Sequence, residues 1–165
     1  VSTSGIGTDD HLMMVMIQRL TGARFTIVHF TGAPIQRTNL MGGNVQVNTM
    51  SVGEVMPDPR GLRFIGHGGS APSRFAPEVP TFKSLGLDFE MYSERGLVVP
   101  VATPDRILGR LRDAVQEAAS DPATIRAFEA QSIEPTLEPG PVWEARMRAA
   151  QVQYADLWRN TPWIS

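Results

Sequence analysis

A chain of 165 residues is enough for one domain or for two small lobes. With 42% apolar and 19% charged residues it can bury a core, and a net charge of -2 gives no basic field to attract nucleic acid. There is no cysteine, which removes disulfides, thiolate zinc sites and cysteine nucleophiles. No apolar run approaches the roughly 18 residues of a membrane span, and no basic-then-apolar leader opens the sequence.

In chain order, "VSTSG" reads as the end of a strand, followed by a Gly5/Gly7 turn. Thr8 then caps a helix to about Leu20 that is stopped by Gly22. Its apolar residues Leu12, Met13, Met14, Val15, Met16 and Ile17 run almost all the way round, so the helix is expected to be heavily buried. "RFTIVHF" (24–30) has strand composition. "TGAPIQRTNLMGG" (31–43) repeats the opening idea: a glycine turn, a proline in the first helical turn, a short helix and a Gly-Gly stop. "NVQVNTM" (44–50) and "LRFIGHGG" (62–69) read as further strands, and "EVPTFKSLGL" (78–87) as a short helix. "FEMYSERGLVVPV" (89–101) is extended and apolar, long enough to pass between two lobes.

From Thr103 the texture turns helical, with Ile107, Leu108, Leu111, Val115, Ala118 and Ala119 on one face. Asp121 and Pro122 open a second helix, and a last one over about 140–159 is expected to bury Trp143, Met147, Ala150, Tyr154, Leu157 and Trp158. The arginines at 106, 110, 112, 126, 146, 148 and 159 fall on solvated helix faces. The alternation implies an α/β fold with a mainly parallel sheet, in which ligands sit beyond the carboxyl ends of the strands. Both glycine turns lie at such strand-to-helix junctions.

The residues argue against catalysis. Gly5-x-Gly7 lacks the third glycine of a dinucleotide fingerprint, because Asp10 stands there, and no Gly-Lys-Ser/Thr phosphate loop occurs, so no cofactor is implied. "GHGGSAP" (66–72) is like an oxyanion loop, but no Gly-x-Ser-x-Gly elbow supplies a nucleophile. An α/β hydrolase-like enzyme using Ser70 and His67 is kept as the alternative reading. His11, His29 and His67 would need to converge with Asp9, Asp10 or Glu54 to hold a metal, and no metal site is expected. No carboxylate pair is placed to raise one member for acid–base work.

"TSGIGTDDHL" (3–12), the "TGAP" turn (31–34) leading to "LMGGNVQV" (40–47), "PEVPTFKSLGL" (77–87), "RGLVVPVATP" (95–104) and "SDPATIRAFEAQSIEP" (120–135) follow one another in an order and spacing that resembles the solute-receptor family of tripartite tricarboxylate transporters, the TctC/Bug extracytoplasmic binding proteins. The resemblance implies a two-lobed, type II periplasmic-binding-protein-like fold and covers only the later part of a family chain. On that pattern residues 1–94 form the second lobe, and residues 95–165 supply the hinge strand and C-terminal helices that complete the first. The rest of the first lobe lies outside this sequence, so apolar faces are expected to stay open and to favour self-association.

The resemblance also implies a periplasmic location, a small carboxylate or amino-acid-like ligand in an interlobe cleft, and delivery to membrane permease subunits or a sensor. Carried over position by position, the ligand-facing residues are Thr3, Ser4, Gly5, Gly7, Thr8 and Asp9 in the first turn, Gly32, Ala33 and Pro34 in the second, and Thr49, Met50 and Ser51 after the third strand. Helix starts provide free N–H donors and a positive dipole end suited to a carboxylate. The sequence departs from the family's small polar residues at Asp9 and Asp10, and from its Asp-Asn at Met50-Ser51. The two aspartates are expected to complement the helix dipole. The competing reading is that they discourage a highly charged anion or welcome an amine.

Overall fold

The computed structural model describes residues 1–163. Helix α1 (Asp9–Thr21) forms as its sequence dictates. Thr8 is extended (φ -72°, ψ 164°) and its Oγ1 accepts the His11 N–H, while Gly22 turns left-handed (φ 73°) and returns its N–H to the Gln18 carbonyl. Leu12 and Val15 from α1 meet Phe82, Phe89, Met91 and Leu157 in the main apolar cluster, and Met13, Met16, Ile17 and Tyr154 pack around it. Phe82 and Phe89 stack at 5.4 Å between ring centroids.

The sheet is small. Strand β1 (Ser2–Thr3) pairs in parallel with β2 (Val28–His29), Ser2 opposite Val28 and Thr3 opposite His29. On the other flank of β1, Ser2 and Asn48 form a parallel bridge, with the Ser2 N–H on the Val47 carbonyl and the Thr49 N–H on the Ser2 carbonyl. The long strands expected over 24–30 and 44–50 therefore shrink to two residues and one bridge. The central segment sets this limit: it leaves the sheet at Gly5, whose φ of 153° turns the chain toward α1, so neither neighbour has more backbone to pair with. Beyond β2, helix α2 (Ala33–Met41) carries Pro34 in its first turn, and the four-residue α3 (Val52–Val55) follows the bridge. Glu54 accepts from both the N–H and the Oγ of Ser51, closing a capping box.

The expected strand at 62–69 is likewise reduced to the bridge His67–Thr81, with Phe82 N–H on the His67 carbonyl and Met91 N–H on the Gly68 carbonyl. Pro77 and Pro80 remove ladder donors from the segment alongside. The helix expected over 78–87 is a single 3-10 turn, Lys83–Leu85, ended by Gly86 at φ 88°. Residues 89–100 form neither helix nor strand, and of 89–101 only Phe89 and Met91 are buried. Leu97 and Val98 are each 82% exposed.

The C-terminal helices α4 (Asp105–Ser120), α5 (Pro122–Glu129) and α6 (Gly140–Asn160) match their predicted limits, and Asp121 caps α5 by accepting the Thr124 N–H. Their burial differs from expectation. Ile107 and Leu111 of α4 are exposed, and of the six α6 residues expected inside, only Leu157 is fully buried while Trp158 is exposed. The apolar stripes are present, but the described residues supply no layer to cover them. The last turns of α6 instead dock on α1 through Leu157. Farther back, Trp143 donates from Nε1 to Glu94 Oε2 (2.8 Å) and Arg146 pairs with Glu94 Oε1 (2.5 Å). Gly96 is required beneath that indole, because a Cβ there would lie 2.2 Å from the ring.

Candidate functional site

Beyond the carboxyl ends of the three parallel segments lie the turns that open α1, α2 and α3. Gln36, wholly buried, fastens them from behind: its Nε2 donates to the carbonyls of Ser2 (3.0 Å) and Thr49 (2.6 Å) and lies against Asn48 Oδ1. Thr49 adds bonds from its Oγ1 to the Ser2 carbonyl (3.3 Å) and the Asp10 carbonyl (3.2 Å). Thr3 is also fully buried, its Oγ1 2.7 Å from His29 Nδ1. Thr3 and Thr49 thus spend their hydroxyls inside the wall and hold the turns in register.

The first turn closes on itself through side chains. Thr8 Oγ1 donates to the Gly5 carbonyl (2.8 Å), and the Gly7 N–H donates to His11 Nδ1 (3.0 Å). The N–H groups of Gly5, Ile6 and Asp9 meet no acceptor among the described residues. In the second turn Gly32 stands at φ 91°, a conformation that frees the start of α2, and the Gly32 and Ala33 N–H groups are equally unpaired. Ala33, Pro34 and Met50 line an open groove of about 410 Å³ together with Arg37 and Glu54. The structure therefore brings Ala33, Pro34 and Met50 to one groove and sets Ser51 at its edge, where Glu54 holds it.

Asp10 departs from the expectation of a simple dipole complement. Only 7% exposed, it turns back so that its Oδ2 accepts from Ser4 Oγ (2.6 Å) and Ser4 N–H (3.3 Å). Burial pushes its carboxyl up to about 6, against the Ser4 hydroxyl bond, and the nearby charges of Asp9 and Glu54 add to the rise. The sequence was read only for carboxylate pairs, and Asp10 is raised chiefly by burial: the sequence shows the acids but not the depth at which one of them sits. His11 and His29 also meet, their rings edge to face at 4.6 Å, and burial lowers the pKa of both, so they are neutral at pH 7. Among the described residues no three His, Asp or Glu side chains are placed to hold a metal ion.

The hydrolase pair does not assemble. His67 Nδ1 accepts the Gly69 N–H (3.1 Å), its Nε2 is buried without a partner among the described residues, and exposed Ser70 makes no bond to it. The Ser70 N–H instead donates to the Tyr92 hydroxyl.

Sequence reasoning missed Gln36 and Arg37, and weighed Glu54 only as a metal ligand. Gln36 was legible only as a polar residue at the fourth position of an otherwise half-apolar helix.

Parallel segments whose following helices open on one edge, with unpaired N–H groups and a groove there, define an α/β ligand-binding lobe. The family model for the tripartite tricarboxylate transporter family receptor, TctC, matches residues 1–151, and the chain belongs to that family. Protein BugT of Bordetella pertussis is 27% identical over 137 residues, covering 81% of this chain and 42% of its own length. A UPF0065 protein from the gbd 5' region of Cupriavidus necator is 31% identical over 123 residues, covering 72% of this chain and 36% of its own. The chain thus spans less than half the length of these relatives.

Among solved structures, a TctC solute binding protein from Polaromonas superposes with a TM-score of 0.78 at 25% identity, over 96% of this chain and 56% of that one. The R. palustris protein Rpa4515, solved with adipate, gives 0.81 at 16% identity over 96% and 54%, a likeness of fold. The fold is that of the TctC solute-binding proteins, as the resemblance implied.

Proposed function

We propose that this chain is part of a periplasmic solute receptor that holds a small carboxylate-bearing metabolite in a cleft between two lobes, for uptake by a tripartite tricarboxylate-type permease or for sensing. The observation that carries the reading is the set of N–H groups at the starts of α1 and α2 that meet no acceptor among the described residues, on one edge of the parallel segments. Fixed backbone donors and two positive helix ends bind a carboxylate with little side-chain charge. The structural neighbour solved with adipate supports a ligand of this class.

In this reading residues 1–94 are the second lobe and residues 95–165 complete the first. The exposed apolar residues Leu97, Val98, Ile107 and Leu111 are then covered by the remainder of that lobe. Closure of the lobes would bury the ligand and report occupancy to the membrane subunits. The test is thermal melting of the full-length protein with a panel of mono- and dicarboxylates. A receptor gains about 2.7 kcal/mol at a hundredfold excess of ligand over Kd and consumes none of it. No stabilisation by any carboxylate, together with turnover of a generic ester lost in Ser70→Ala, would reverse the reading.

A further inference from the structure

We propose that Asp10 sets the specificity of the site: it occupies the Ser4 donors with a carboxylate of the chain's own. The first turn therefore takes a neutral oxygen acceptor, and the ligand carries a single carboxylate, held at the second turn. The inference rests on the receptor reading above and names the class of ligand within it.

The geometry is that of an internal anion already bound. One oxygen of Asp10 takes both the N–H and the hydroxyl of Ser4. The Asp10 carbonyl is pinned by Thr49 Oγ1, so the residue is held from both ends. The N–H groups without an acceptor among the described residues of this turn belong to Gly5, Ile6 and Asp9, and the first two follow Ser4 directly along the chain. Ser4 N lies 3.3 Å from Asp10 Oδ2, and the spacing of neighbouring residues then keeps an oxygen seated on the adjacent Gly5 N–H within about 10 Å of the Asp10 carboxylate. A second carboxylate there would place two like charges in a partly dehydrated pocket. At an effective dielectric of ~20 a like charge about 7–10 Å away lowers affinity by about fifteenfold to fiftyfold. An amide carbonyl uses the same donors without the repulsion.

Asp9 and Glu54 add negative charge on the same side, while His11 and His29 are neutral and offset none of it. The second turn is different in kind. Its Gly32 and Ala33 N–H groups, without an acceptor among the described residues, open on a groove lined by Arg37, which pairs with Asp58 at 3.6 Å, and by Glu54, so the backbone donors and the positive end of α2, rather than a free side-chain cation, receive a carboxylate there.

Adipate and its monoamide, 6-amino-6-oxohexanoate, match in length and differ in the charge at one end. Calorimetry of the full-length receptor at pH 7.5 is expected to show the monoamide bound at least tenfold more tightly than adipate. In Asp10→Asn the adipate-to-monoamide affinity ratio is expected to rise about tenfold. Asp10→Ser gives the same rise and covers the case in which the amide fails to fold. A wild type that prefers adipate, or a ratio unchanged in both variants while the probes still bind, overturns the inference and leaves the receptor reading standing. Binding of neither probe, in wild type or variants, overturns the inference as well; the receptor reading falls with it only if no carboxylate of the melting panel binds either.

Discussion

Replacing Asp10 with asparagine is expected to stabilise the protein at neutral pH, although it removes a charged hydrogen-bond acceptor from a helix start. The folded state raises the carboxyl from 3.8 to about 6. At about 1.36 kcal/mol per unit, a rise of roughly 2 units corresponds to about 3 kcal/mol of destabilisation once the group ionises. Solvent still reaches part of the site, and screening reduces this to about 1–2 kcal/mol. The sign follows from proton binding. Between about pH 4 and pH 6 the folded protein holds the Asp10 proton more tightly than the unfolded chain, so this group's contribution falls as pH rises and is constant above that window. Asparagine keeps an acceptor for Ser4 and never ionises.

His11 and His29 act in the opposite sense. Their lowered pKa values cost stability as pH falls below about 6.5. That cost is common to both proteins and cancels in their difference. Urea unfolding of wild type and Asp10→Asn from pH 4 to pH 8 measures it directly. The expected result is a variant more stable by about 1–2 kcal/mol at pH 7.5, roughly 3–6 °C in Tm, with the difference vanishing near pH 4. A variant less stable at pH 7.5, or a difference independent of pH, would show that the Ser4 bonds outweigh dehydration and would refute the reasoning.

Gln36→Met keeps the bulk of the side chain but leaves the Ser2 and Thr49 carbonyls short of a donor; a loss of about 2–3 kcal/mol in urea unfolding is expected, and an unchanged midpoint would mean that Gln36 does not hold the turns together. Leu157→Ala removes the one fully buried side chain of α6 and is expected to cost about 2–5 kcal/mol, with new ANS fluorescence as the helix end lifts from α1. Glu94→Gln breaks the pairing with Arg146 and weakens the acceptor of the Trp143 indole, so a shift in tryptophan emission is expected with a change in stability under about 1 kcal/mol; a larger loss would mark residue 94 as a keystone between the two parts of the chain.

What could be read from the sequence depended on how local the physics is. Thr8, Gly22, Asp121 and Gly86 act within a few residues of themselves, so the helix starts and stops were legible. Strand length was not, because it depends on how much backbone a neighbour offers, and β1 leaves after Thr3. Apolar periodicity found the right faces of α4 and α6 but could not show which layer covers them. The two glycine turns were identifiable as a candidate site from their place between strand and helix. The roles of Gln36 and Asp10 were hidden, since each depends on a partner brought in by the fold: the carbonyls of Ser2 and Thr49 for one, the depth of the Ser4 turn for the other.

The central claim is that backbone donors at the starts of α1 and α2 receive the ligand. Amide chemical-shift titration of the full-length protein with the monoamide of adipate tests it most directly. The account predicts the largest shifts at the N–H groups of Gly5, Ile6, Gly32 and Ala33, saturating together with the calorimetric affinity. Saturating shifts centred on His67 and Ser70, or on the exposed face of α4, would contradict it.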